Sequence, residues 1–121
     1  MMTELPKKIS NYLNRYSSEK YTVSELSKNL YEVVVVIPTL DEFKNLKRLL
    51  SSFEKNNSDA LSKTLLLFVV NNLKSASSEV KEENLRSFKF LRSIDSNKIN
   101  IGVVDCSTGE NGFDEKDGGV G

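Results

Sequence analysis

Val33 to Leu50 reads VVVVIPTLDEFKNLKRLL, and its first five residues are all β-branched. That run stops at Pro38. A strand apolar on both sides is what a sheet covered on both faces requires. Thr39, Leu40, Asp41 and Glu42 form a short polar turn. Phe43, Leu46, Leu49, Leu50 and Phe53 then recur with a period near 3.6, which marks one face of a helix. Thr39 and Glu42 have the spacing of a capping box, with Thr39 as N-cap and Glu42 reaching back to it. Open α/β sheets bind ligands outside the carboxyl ends of their strands, where this turn lies.

The same alternation continues outward. TLLLFVV over 64–70 is a second apolar strand, ended by Asn71 and Asn72. A polar turn over 75–78 leads into a helix over 79–92, with Val80, Leu85, Phe88 and Leu91 expected inward. A third strand over 99–104 is ended by Asp105. Asn56-Asn57-Ser58-Asp59 is a loop signal, and CSTGENGFDEKDGGVG, from Cys106 on, reads as a loop. Ahead of the first strand, Ile9, Tyr12, Leu13 and Tyr16 lie at helical spacing. Thr22-Val23-Ser24-Glu25 has capping-box spacing before Leu26 and Leu30, which predicts a short second helix.

Strands separated by helices of this length predict right-handed crossovers and a parallel sheet. The expected fold class is α/β: a three-layer, Rossmann-like partial parallel sheet in the order 3-2-1, with helices on its faces. Residues 1–30 form an N-terminal helical segment and residues 31–121 the α/β domain, ending in a Gly-rich loop. Three strands are few for such a domain, so the chain reads as the front portion of a larger one. An incomplete sheet leaves the first strand with an unpaired edge. Either self-association or a disordered tail from about Cys106 onward is expected.

Composition narrows the function classes. Lys plus Arg and Asp plus Glu both number 17, a net charge of zero that gives no support for a nucleic-acid partner. No histidine is present, so a Ser-His-Asp triad and a His-containing zinc site cannot be built from this chain. Cys106 is the lone cysteine, which excludes an intrachain disulfide and fits a reducing, cytoplasmic setting. No apolar run reaches the roughly 18 residues of a membrane span.

VVVVIPTLDEFKNLKRLLSSF resembles the opening of family 2 glycosyltransferases, where a strand ending in Ile-Pro-Thr leads through Tyr-Asn-Glu into a helix with Asn-Leu and paired leucines. Here the matching residues are Ile37-Pro38-Thr39-Leu40-Asp41-Glu42, then Asn45-Leu46 and Leu49-Leu50. LLLFVVNN over 65–72 is similar to that family's second strand, which ends in Val-Val-Asp-Asn. Gly119-Val120-Gly121 resembles the loop before its Ala-Arg helix. The resemblance implies the N-terminal nucleotide-binding half of a GT-A fold. It implies a nucleotide-sugar donor as partner, and a divalent cation, Mg or Mn, as cofactor of the full-length parent. It places Thr39, and Asn71 or Asn72, against the nucleoside and Glu42 toward ribose or base; Asp105 is the third strand-end polar group at that edge. Asn stands where the family has an acid; its neutral amide both donates and accepts, which leaves base identity open.

Structural roles stand beside each of these. Thr39 and Glu42 serve equally as a capping box, Asp41 as a complement to the helix dipole, Asn71 and Asn72 as turn residues, and Asp105 as a loop cap. The acidic residues from Glu110 to Asp117 lack calcium-loop spacing and read as a solvated loop. No Asp-x-Asp occurs to hold a cation, and no catalytic base is identified, so no catalytic residue is assigned. The alternatives are a non-catalytic α/β binding or assembly module, and a methyltransferase-like Rossmann domain, suggested by Val103–Gly109. The latter lacks a glycine loop after the first strand.

Overall fold

A computed structural model describes residues 6–15, 23–24 and 30–115. Its elements are α1 (Lys7–Arg15), β1 (Val23–Ser24), β2 (Val33–Thr39), α2 (Phe43–Glu54), α3 (Ser58–Ser62), β3 (Thr64–Asn71), α4 (Ser78–Ser93) and β4 (Asn100–Cys106). A 3-10 turn follows at Gly109–Asn111.

The three expected strands are present and mutually parallel. β2 pairs with β3 from Val33 opposite Thr64 to Thr39 opposite Val70, and β3 pairs with β4 from Leu65 opposite Asn100 to Asn71 opposite Cys106. The sheet order is β1-β4-β3-β2, so these three strands stand as the sequence indicates. β1 adds a short antiparallel fourth strand, Val23 opposite Val104. This corrects the second N-terminal helix at its start: Val23 and Ser24 bond to a sheet edge instead of opening a helix. Residues 25–29 of that expected helix lie outside the described residues.

Moving from β2 to β3 to β4, the chain steps in one direction across the sheet. Right-handed crossovers that step the same way place their helices on the same face. One core accordingly gathers Leu46 and Leu50 of α2, Leu91 of α4, Leu66, Phe68 and Val70 of β3, and Val103 of β4. Phe43 and Phe90 meet edge to face at 6.0 Å, joining the two helices. A third layer on the opposite face is not supplied by α2 or α4, and Val34 and Val36 on that face remain exposed.

Two further elements differ from the sequence reading. Asn57 caps a helix: its side-chain oxygen accepts from the N–H groups of Asp59 and Ala60, and α3 follows. On α4 the buried stripe is Asn84, Ser87 and Leu91, whereas Leu85 is exposed. Among the described residues no helix is long and apolar enough to cross a membrane.

Candidate functional site

The carboxyl ends of β2, β3 and β4 lie along one edge. At the first, the strand persists through Thr39, whose hydroxyl donates to the carbonyl of Ile37 at 3.1 Å and is buried. Asp41 then adopts φ 53°, a left-handed turn, and α2 begins only at Phe43 with Glu42 as N-cap. The Thr39–Glu42 capping box therefore does not form. Glu42 makes no capping bond and accepts from Asn45 Nδ2 at 2.8 Å on the exposed surface.

The second strand end is buried and polar. Asn71 Nδ2 donates to the carbonyls of Val69 at 3.1 Å and Thr39 at 3.4 Å, which ties β3 to the end of β2. Asn72 Nδ2 donates to the carbonyl of Leu73 at 2.8 Å. Its backbone N–H donates to Cys106, and its carbonyl accepts from Phe113.

Asn84, a residue that the sequence reading passed over, closes this arrangement from α4. It is fully buried. Its Oδ1 accepts from the backbone N–H of Asp41 at 3.0 Å. Its Nδ2 donates to the carbonyl of Asn71 at 2.8 Å and to Asn72 Oδ1 at 3.1 Å. Asn72 Oδ1 also accepts from the Ser107 hydroxyl. One side chain thus spans the loops after β2 and β3, and Asn72 carries the connection to the loop after β4. An amide suits this place because it donates twice and accepts in one rigid plane. A polar residue within an apolar helical pattern is the only sequence signal for it.

The third strand end is organised by Asp105. Its carboxylate accepts from the N–H groups of Ser107 at 3.0 Å and Thr108 at 2.9 Å, from the Thr108 hydroxyl, and from Asn111 Nδ2 at 3.5 Å. Burial pushes its pKa up, but the hydroxyl and N–H of Thr108, the N–H of Ser107 and the Asn111 amide outweigh burial and hold it below the usual carboxylate value. The loop then docks back on the segment just after β3 through a parallel bridge between Leu73 and Phe113. Gly112 permits this: a Cβ there would lie 3.1 Å from both Asn72 Nδ2 and the Asn72 carbonyl. Of the tail expected to be disordered if the chain does not self-associate, Ser107, Thr108 and Phe113 are tied to the sheet edge through Asp105 and Asn72, and residues 116–121 lie outside the described residues.

The edge therefore joins Thr39 to Asn71 directly, and Asn71, Asn72 and Asp41 through Asn84, with Asp105 on the adjoining loop, while Glu42 stands apart on the surface. Thr39, Asn71 and Asn72 have their side-chain bonds turned inward. Two clefts border the frame. One, about 420 Å³, runs between Asp41 and Lys44 and the first turns of α4 at Glu79 and Glu83. The other, about 470 Å³, lies between Ser78, Lys81 and Leu85 of α4 and Ser107 to Gly109. A third, about 310 Å³, is at the other end of the strands around Tyr31, Ile94 and Asn100. Among the described residues no group of three or more His, Cys, Asp or Glu side chains is placed to hold a metal ion. Cys106 is buried.

Comparisons with protein-family models, with curated proteins and with solved structures find no match to this chain.

Proposed function

We propose that this chain is the nucleoside-binding, N-terminal part of a glycosyltransferase that moves a sugar from a nucleotide-sugar donor to an acceptor hydroxyl, and that alone it binds without catalysing transfer. The observation that carries the reading is the shared edge. Three parallel strands end side by side in polar residues, and their following loops are bound into one frame by Asn84 and Asn72. Strand carboxyl ends of this kind are where open α/β sheets hold ligands. In this reading Thr39, Asn71 and Asn72 act from within, by fixing the loops. Glu42, Asp105 and the borders of the clefts at Asp41 and Thr108 meet the nucleoside. Among the described residues no group of three or more His, Cys, Asp or Glu side chains is placed to hold a metal ion, and no step is routed through a metal here.

A second reading, a non-catalytic binding or assembly module, is favoured by a specific observation: the amides of Asn71, Asn72 and Asn84 are spent on internal bonds. Calorimetric titration separates the readings. Uridine or guanosine diphosphate is expected to bind with a Kd of about 1 mM, and S-adenosylmethionine not at all. Binding of S-adenosylmethionine instead would favour a methyltransferase-like domain; binding of none of the three would favour the module.

A further inference from the structure

The loop after β4 carries a chemically labile dipeptide. Asn111 is followed by Gly112, and no other asparagine in the chain precedes a glycine. An asparagine side-chain carbonyl is open to attack by the main-chain nitrogen of the next residue. A side chain on that residue hinders the approach, and glycine has none. The fold itself calls for the glycine: a Cβ at position 112 would lie 3.1 Å from both Asn72 Nδ2 and the Asn72 carbonyl, and 3.2 Å from the Lys74 nitrogen. Little holds the asparagine away from reaction. It ends a 3-10 turn of three residues, Gly109–Asn111, a form whose hydrogen bonds are poorer than those of an α-helix. Asn111 is half-buried, and its side-chain bond to Asp105 Oδ2 is long, at 3.5 Å. Gly109 and Glu110 beside it are exposed. Such segments open locally at low cost in free energy.

We propose that Asn111 is a site of spontaneous modification, converting to aspartate and isoaspartate, and that the conversion unfastens the loop from Ser107 to Phe113. The Gly112 nitrogen attacks Asn111 Cγ when the turn opens. The N–Cγ bond forms, the Cγ–Nδ2 bond breaks, and the Gly112 proton leaves with the side-chain nitrogen as ammonia. Water then opens the cyclic imide. Cleavage of the N–Cγ bond gives aspartate. Cleavage between the nitrogen and the Asn111 main-chain carbonyl gives isoaspartate, with the chain rerouted through Cγ. Aspartate puts a carboxylate where the amide stood, 3.5 Å from Asp105 Oδ2, and two carboxylates that close repel. Asp105 is the anchor that accepts from the Ser107 and Thr108 N–H groups. Isoaspartate lengthens the main chain just before Gly112, beside the 2.8 Å bond from the Phe113 N–H to the Asn72 carbonyl. The cleft wall at Ser107 to Gly109 loosens with either product. The chemistry is independent of any nucleoside.

Incubation of the whole native chain, sampled over time by peptide mapping with mass spectrometry, tests the conversion. The amide-to-acid mass gain is expected on the peptide holding Asn111, split between two products, with Asn71, Asn72 and Asn84 unchanged. In the converted fraction the Phe113 amide is expected to exchange roughly tenfold faster by NMR, as loss of one hydrogen bond to a charged group allows. Asn111→Gln keeps an amide but disfavours the five-membered ring, and is expected to stay unconverted. Asn111→Asp is expected to show the fast Phe113 amide without incubation. An Asn111 that stays an amide in the native protein, over the period in which the urea-unfolded chain converts, would overturn the proposal. So would conversion that leaves Phe113 exchange unchanged. The wild-type time course decides the matter even if a variant does not fold.

Discussion

Asn84 does at one position what a loop edge ordinarily needs several groups to do. It satisfies the N–H of Asp41, a residue in the left-handed region, and the carbonyl and side chain that end β3. Asn84→Ala leaves buried partners unmet, and each such group costs roughly 1–3 kcal/mol. A total loss of about 3 kcal/mol is expected by urea denaturation, and a loss under 1 kcal/mol would show that the loops find other partners. Asp105 gives a pH signature. Its folded pKa is depressed, so its contribution is fully present above the unfolded carboxylate value of about 3.9. It is lost as pH falls through the folded value. Asp105→Asn is expected to be less stable than wild type near neutrality, with the gap closing in acid. A gap independent of pH would contradict the carboxylate's role. Of these two residues, only Asp105 was legible in the sequence as an edge residue, because it ends an apolar strand. Asn84 was not, since periodicity weighs apolar positions, and its partners are 12 to 43 residues distant.

α4 shows why helix reading by apolar stripe fell short. Its first turns face the polar strand ends, where backbone groups need partners, so the inward position there is Asn84. Farther along, Ser87 is buried, while Leu91 is buried and Phe88 half-buried against the core as the apolar stripe predicts. Leu85, expected inward, borders the cleft by Thr108. Ser87 Oγ is, among the described residues, a buried side-chain atom without a hydrogen-bond partner. Ser87→Ala keeps the small volume, removes the unmet hydroxyl and raises helix propensity. Stabilisation by about 1 kcal/mol is expected in urea denaturation; destabilisation would mean that the hydroxyl is engaged. The strands were read more successfully, because long β-branched runs have few alternatives. The start of α2 was misread because Thr39 and Glu42 match a capping box while the left-handed Asp41 between them delays the helix. Asn57 carries a loop signal in the sequence and a helix cap in the structure because the residues that make turns also cap helices.

At the scale of the molecule, one direction of strand succession sets most of the architecture. It puts α2 and α4 on one face, leaves Val34 and Val36 exposed on the other, and brings three loops to one edge. The parallel order was legible in three apolar runs. The short antiparallel β1 was not, because two residues carry too little pattern. The edge is central to the functional reading, and a residue-resolved NMR titration with uridine and guanosine diphosphates tests it most directly. Shift changes are expected to cluster on residues 38–42, 71–73 and 105–108. No change at millimolar ligand, or changes confined to the cleft around Tyr31, Ile94 and Asn100 at the opposite end of the strands, would contradict it.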